Sequence, residues 1–270
     1  MTAAPETAAT FQALHRGPNV LVLANAWDAG TAKVVEHAGA KAIATSSAAV
    51  AWSHGYADGH DLPIARLVAT TEEIARVTRL PITVDAESGY ADDPAESAIN
   101  IAALARAGAV GVNLEDGREA PELHQRKIAA AREAAAREGV DLYINARVDV
   151  YLKQLVPVEQ ALEETIRRGR AAKAAGASGL FVPGLADRDA IRAIAAGVDL
   201  PLNLMLWPGL PSARELAQLG VRRLSAGGGL AHVAYGALRK AAEAFLAEGD
   251  SDALIAAGGE KLNYNAIFKG

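Results

Sequence analysis

Along the chain, short runs rich in Val, Ile and Leu alternate with longer segments whose apolar residues recur every three to four positions. The first pattern predicts buried strands and the second amphipathic helices. Strands are predicted over residues 20–26, 42–47, 82–87, 111–116, 142–149, 179–183, 200–205 and 222–228. Helices are predicted over residues 11–16, 31–38, 64–79, 94–107, 122–138, 157–175, 187–196, 212–220 and 231–248. Asp28 and Asp187 sit in cap positions, Asp92 and Asp93 precede Pro94, and Gly39, Gly108, Gly139 and Gly176 follow helix ends. Residues 48–62 predict a long loop carrying Trp52, His54, Tyr56, Asp58, His60 and Asp61, and residues 252–268 a partly apolar tail. Met1 to Thr10 has neither the basic start nor the apolar centre of a leader and reads as a frayed tail.

Eight strands alternating with helices, with Ala107-Gly108-Ala109, Ala175-Gly176-Ala177 and Leu219-Gly220-Val221 each placed just before a strand, predict a (β/α)8 TIM-type barrel. The expected organisation is a single barrel domain over residues 1–270, with residues 231–270 as a C-terminal helical extension. A doubly wound open sheet needs a glycine fingerprint after its first strand, and Asn25-Ala26-Trp27-Asp28 stands there instead. On a barrel, the strand ends open onto one mouth, which would gather Asn25, Thr45, Asp85, Glu115, Arg147 and Asn203.

Composition narrows the picture. The chain has 270 residues, 51% of them hydrophobic, enough for one large core. A net charge of −5 gives no basic footprint for nucleic acid, and no apolar run is long enough to span a membrane. With no cysteine there is neither a disulfide framework nor a thiol nucleophile, and a cytoplasmic setting is expected.

The chemistry concentrates at two strand ends, Val84-Asp85-Ala86-Glu87-Ser88-Gly89-Tyr90 and Gly111-Val112-Asn113-Leu114-Glu115-Asp116. On a continuing strand Asp85 and Glu87 face one way, and Glu115 on the next strand joins them. Carboxylates so crowded call for a hard divalent cation, and Mg²⁺ is expected, with Mn²⁺ as an alternative occupant.

These motifs, with Asn25-Ala26-Trp27-Asp28, Gly55-Tyr56-Ala57-Asp58, Asn145-Ala146-Arg147-Val148-Asp149 and Leu202-Asn203, resemble the isocitrate lyase and phosphoenolpyruvate mutase superfamily over nearly the whole chain. The resemblance implies that Asp85 holds Mg²⁺ directly and that Asp58, Glu87 and Glu115 hold it mainly through water. It further implies that the amides around Thr45, Ser46 and Ser47 grip a substrate carboxylate, that Arg147 faces the developing charge, and that Asn203 binds substrate. The implied reaction is cleavage of a C–C bond beside a 2-oxo or 2-hydroxy carboxylate, of the 2-methylisocitrate, dimethylmalate or oxaloacetate kind, through an enolate. Mutase or hydrolase chemistry on a C–P bond, or binding of an α-keto acid without turnover, are the alternatives. The superfamily's exchanged terminal helices imply a homo-oligomer, a dimer or tetramer, in keeping with the apolar stripe Leu230, Val233, Ala234, Ala237, Leu238, Ala241 and Phe245.

The chain departs from this pattern where the lyases carry a cysteine loop. Gly117-Arg118-Glu119-Ala120-Pro121-Glu122-Leu123-His124 replaces it, Pro183-Gly184 replaces a glutamate after the sixth strand, and Met205-Leu206 follows Asn203. His54, His60 and His124 are read as loop residues, each able to supply a proton at the mouth. Ser225-Ala226-Gly227-Gly228-Gly229 reads as a tight barrel turn in preference to a phosphate cradle, and Arg222 and Arg223 as solvent or interface charges.

Overall fold

The computed structural model describes residues 5–259 and 262–269. Its strands are β1 (Leu21–Leu23), β2 (Asn25–Ala26), β3 (Ile43–Thr45), β4 (Ile82–Asp85), β5 (Ala109–Glu115), β6 (Tyr143–Arg147), β7 (Gly179–Phe181), β8 (Leu202–Met205) and β9 (Val221–Ser225). Every pairing is parallel, in the order β1-β9-β8-β7-β6-β5-β4-β3-β2. β1 and β2 are separated only by Ala24, so one interrupted strand pairs with β9 through its first half and with β3 through its second. That interruption closes the expected eight-position barrel.

Alternation along the strands separates two layers. Val84, Val112, Leu114, Ile144 and Ala146 join the apolar cluster beneath the surrounding helices, so the residues between them turn into the barrel. There the side chains are unusually polar: Thr83, Asp85, Asn113, Asn145, Asn203 and Arg223 are all buried.

Two expectations are corrected. Pro5–Leu14 is a helix, not part of a frayed tail, because Ala8 and Phe11 fall on one face and bury it against Leu21, Leu23 and Tyr143 at the base of the barrel; residues 1–4 lie outside the described residues. Ser47–Ser53 is a helix where a loop was expected, its alanine-rich run buried through Ala49, Val50 and Ala51. The C-terminal tail forms two short helices, Ser251–Ala257 and Tyr264–Lys269, after the long helix Gly229–Glu248. Phe11 reaches so far under the barrel that a Cβ at position 111 would lie 2.7 Å from its ring, which is why β5 carries glycine there. Among the described residues no helix is long and apolar enough to cross a membrane.

Candidate active site

Asp85 is the last residue of β4 and stands opposite Asn113 of β5. Its backbone N–H donates to Thr45 Oγ1 at 2.9 Å, and the N–H of Ser47 donates to its Oδ2 at 3.2 Å. Asn113 Nδ2 donates to its Oδ1 at 3.4 Å. These bonds tie the ends of β3 and β4 together, and because the two contacts to the carboxylate are long they leave it with lone pairs free.

Glu87 does not share the direction of Asp85, because the strand has already ended. Glu87, Gly89 and Tyr90 have φ of 47°, 92° and 57°, a left-handed turn that breaks the two-residue alternation. Non-glycine residues in that region cost of order 1–3 kcal/mol each and mark constrained sites. Glu87 accepts from Tyr90 Oη at 2.8 Å, and its Oε2 lies 3.1 Å from His60 Nδ1. Burial pushes its carboxyl up; the Tyr90 hydrogen bond and His60 oppose this, while Asp85 and Asp58 add to it.

Glu115 ends β5 and faces Arg147 of β6, with Nη1 2.6 Å from Oε2. Lys153 Nζ approaches Glu115 at 3.4 Å and Asp149 at 3.0 Å. Burial pushes the Glu115 carboxyl up to about 7; Arg147 counters it, and Asp149 and Asp85 reinforce it. Burial alone would lower the Arg147 pKa, but Glu115 and Asp149 outweigh it and hold the guanidinium charged. Asp149 in turn receives two N–H bonds from Arg147, and its backbone N–H donates to Asp116.

A cleft of about 400 Å³ opens above these strand ends, lined by Asn25, Ser46, Ser47, Asp58, Asp85 and Arg147 among the expected residues and by Trp52, Asn113, Phe181 and Gly227 to Gly229 besides. Thr45, Glu87, Glu115 and Asn203 do not line it: Thr45 and Asn203 are 2% and 1% exposed, and both polar atoms of the Asn203 amide lack partners among the described residues. Of the three acids expected to face one ion, Asp85 lines the cleft and Glu87 and Glu115 do not. Among the described residues no three His, Cys, Asp or Glu side chains are placed as a ligand cluster, since Glu87 turns to Tyr90 and His60 and Glu115 to Arg147 and Lys153. The donor set still fits a hard cation that keeps most of its waters, with Asp85 and Asp58 open to the cleft and the other acids one shell behind.

The rest of the wall shows what the sequence did not disclose. Gly227 has φ of 53°, and a Cβ there would lie 2.6 Å from Met205 Sδ, so the glycine is required by the turn, as expected; the same turn also forms the cleft wall. Its N–H donates to Asn25 Oδ1 at 3.0 Å, while Asn25 Nδ2 donates to the Thr45 carbonyl at 2.7 Å. Asp149 and Asn113 have a sequence signal, since each lies two residues from Arg147 or Glu115 and so shares its face. Lys153 has none, because it arrives on a turn that no pattern predicts. The histidine expectation is corrected for two positions: His124 is buried in the helix Pro121–Arg137 and bonds the Leu114 carbonyl, and His54 bonds Thr70. Arg223 is corrected as well, being 1% exposed inside the barrel.

Compared with known proteins, residues 11–246 match the family model described as phosphoenolpyruvate phosphomutase. The chain belongs to this family. It is thus an enzyme of the phosphoenolpyruvate mutase and isocitrate lyase superfamily. An oxaloacetate decarboxylase of Pseudomonas fluorescens (strain SBW25) is 31% identical over 251 residues, covering 86% of this chain and 81% of the relative. A crystal structure of a candidate phosphonomutase from Burkholderia cenocepacia J2315 superposes with a TM-score of 0.84 at 45% identity, covering 88% of this chain and 99% of that one. The crystal structure of 2,3-dimethylmalate lyase superposes with a TM-score of 0.81 at 25% identity over 96% of this chain and 95% of its own.

Proposed function

We propose that the chain is a Mg²⁺-dependent lyase that breaks a C–C bond adjacent to a 2-oxo or 2-hydroxy carboxylate, with oxaloacetate the first substrate to test. The observation that carries this is the sharing of one cleft by Asp85, with free lone pairs, and Arg147, fixed by two acids. Asp85 would hold a Mg²⁺, with Asp58, Glu87 and Glu115 around it, and the ion would supply positive charge that stabilises the enolate. The chain does the rest. The amides around Ser46 and Ser47 orient the carboxylate, and the Arg147 guanidinium, held charged, faces the negative charge that develops as the bond breaks. In decarboxylation the electron pair of the C3–C4 bond passes to C3 to form the enolate of the product, CO2 leaves, and C3 then takes a proton. Trp52, Phe181 and Leu152 supply apolar wall that limits water at the reacting carbon.

The 31% identity to an oxaloacetate decarboxylase and the 25% identity to 2,3-dimethylmalate lyase support this reading. C–P bond chemistry is the second reading, favoured by the 45% identity to the phosphonomutase. Incubation with Mg²⁺ and oxaloacetate, 2-methylisocitrate, dimethylmalate or phosphonopyruvate separates them, through pyruvate from one of the first three in the first case, and through phosphoenolpyruvate, or phosphate released with pyruvate, from phosphonopyruvate in the second. No product from any of the four with metal present leaves an α-keto-acid-binding protein and ends the lyase reading. Oligomerisation through the last long helix is part of the same proposal, since Val233, Leu238 and Leu246 stand 69%, 62% and 84% exposed on it.

A further inference from the structure

Arg223 is a cation that the site above does not use. It points inward from β9, in register with Leu21 of β1 and Asn203 of β8, and its guanidinium lies 6.0 Å from the Phe11 ring centroid beneath the floor of the cleft. A buried charge ordinarily has a carboxylate bonded to it, because leaving it unpaired costs several kcal/mol. Here the guanidinium bonds an asparagine. Its Nη2 donates to Asn113 Oδ1 at 3.3 Å, and its Nε and Nη1 find no partner among the described residues.

The same Asn113 oxygen accepts from Asn145 Nδ2 at 2.9 Å. Two donors on one oxygen decide which way the amide lies, since its nitrogen end would be repelled by both. Nδ2 is therefore turned to Asp85, where it donates to Oδ1 at 3.4 Å. We infer that Arg223 is a positioning residue for Asp85: it fixes the Asn113 amide that points the Asp85 carboxylate into the cleft, and its charge steadies that carboxylate across the barrel interior. The low dielectric there lets the attraction act over one intervening side chain. Gly179 makes room for this network, since a Cβ there would lie 2.9 Å from Asn145 Oδ1 and collide with the Tyr143 hydroxyl. The inference rests on the reading of Asp85 as a metal-holding carboxylate, and the test keeps the two apart.

The test titrates Mn²⁺ into the full-length protein and follows free Mn²⁺ by electron paramagnetic resonance, alongside melting curves. Asp85→Asn is the control for the reading and loses tight Mn²⁺ binding. Arg223→Met stays folded and binds Mn²⁺ about tenfold more weakly or worse, the usual cost of removing a group that orients a metal ligand; Arg223→Lys, which keeps the charge, recovers part of the loss. A purely structural arginine gives the opposite pattern, a lowered melting temperature with affinity intact in the folded protein. Should Arg223→Met not fold, Asn113→Ser breaks the same relay and carries the same expectation. Wild-type Mn²⁺ affinity in the folded variant overturns the inference. Wild-type affinity in Asp85→Asn shows instead that the site reading has failed, and the inference falls with it.

Discussion

Arg147 and Asp149, two residues apart at the end of β6, meet side-on, with Nε 2.7 Å from Oδ1 and Nη2 3.0 Å from Oδ2. The fork holds the guanidinium in one plane while Glu115 takes Nη1. A lysine keeps the charge but cannot make this fork. Arg147→Lys should therefore lower kcat by about 10²-fold or more, the scale of one lost donor at a developing oxyanion. Steady-state kinetics on whichever substrate the panel identifies gives the number, and a change confined to KM argues against a role in the chemical step.

Asp85 carries the metal prediction. Chelation with EDTA should remove turnover and added Mg²⁺ restore it, whereas Asp85→Ala should stay inactive at every Mg²⁺ concentration while its circular dichroism matches wild type. Loss of the side chain frees the Ser47 N–H and the Asn113 amide, at a stability cost of about 1–3 kcal/mol. Unchanged turnover in this variant takes the metal out of the mechanism.

His15 predicts an acid limb to stability. Burial, with Arg223 beside it, lowers its pKa from 6.5 to about 3. The unfolded chain therefore binds a proton that the folded chain refuses between those two values, and stability rises with pH across that window and is lost as acid is added. The slope from this one group reaches ~1.4 kcal/mol per pH unit. His15→Phe keeps a ring against Tyr143, which His15 stacks at 4.0 Å, and should flatten the dependence of melting temperature on pH between about 4 and 6, where only the histidine's share of the proton uptake is removed.

Gly89→Ala tests the turn that follows β4. At φ of 92° an added Cβ would lie 2.9 Å from Ser97 Cβ and collide with its hydroxyl. Left-handed strain and overpacking together should cost about 2–4 kcal/mol in urea unfolding. A loss below about 1 kcal/mol would mean that the turn relaxes easily and is not a rigid support for Glu87.

The terminal helix gives the assembly prediction. Val233→Glu with Leu238→Glu places charge on the exposed apolar face of Gly229–Glu248. Analytical ultracentrifugation should show wild type as an oligomer and the double variant shifted toward monomer. A monomeric wild type removes the proposed interface outright.

Much of this was legible in the sequence. The barrel could be read from apolar runs, glycine stops and aspartate caps, because those signals are local and repeat in each unit. Asp85 and Arg147 could be placed on one cleft because strand ends of a barrel converge whatever lies between them. What escaped was set by single backbone torsions or by distant packing. The left-handed turn at Glu87 reversed the direction that alternation assigns, and no residue type announced it, since glutamate is a poor occupant of that region. The first part of the helix, Pro5 to Thr10, looked like a tail because its apolar residues are few, and the base of the barrel is what gives Ala8 and Phe11 somewhere to go. Arg222 and Arg223 are neighbours on a strand, so one of them had to point inward; alternation contained that fact, and charge obscured it.

The bond from Gly227 to Asn25 spans 202 positions of the chain. It stitches the first strand to the last at the rim, with Asn25 also gripping Thr45. Completion of the cleft must therefore wait for ring closure during folding: a nascent polypeptide that has not yet delivered its final strand has the acids but no enclosed place to use them.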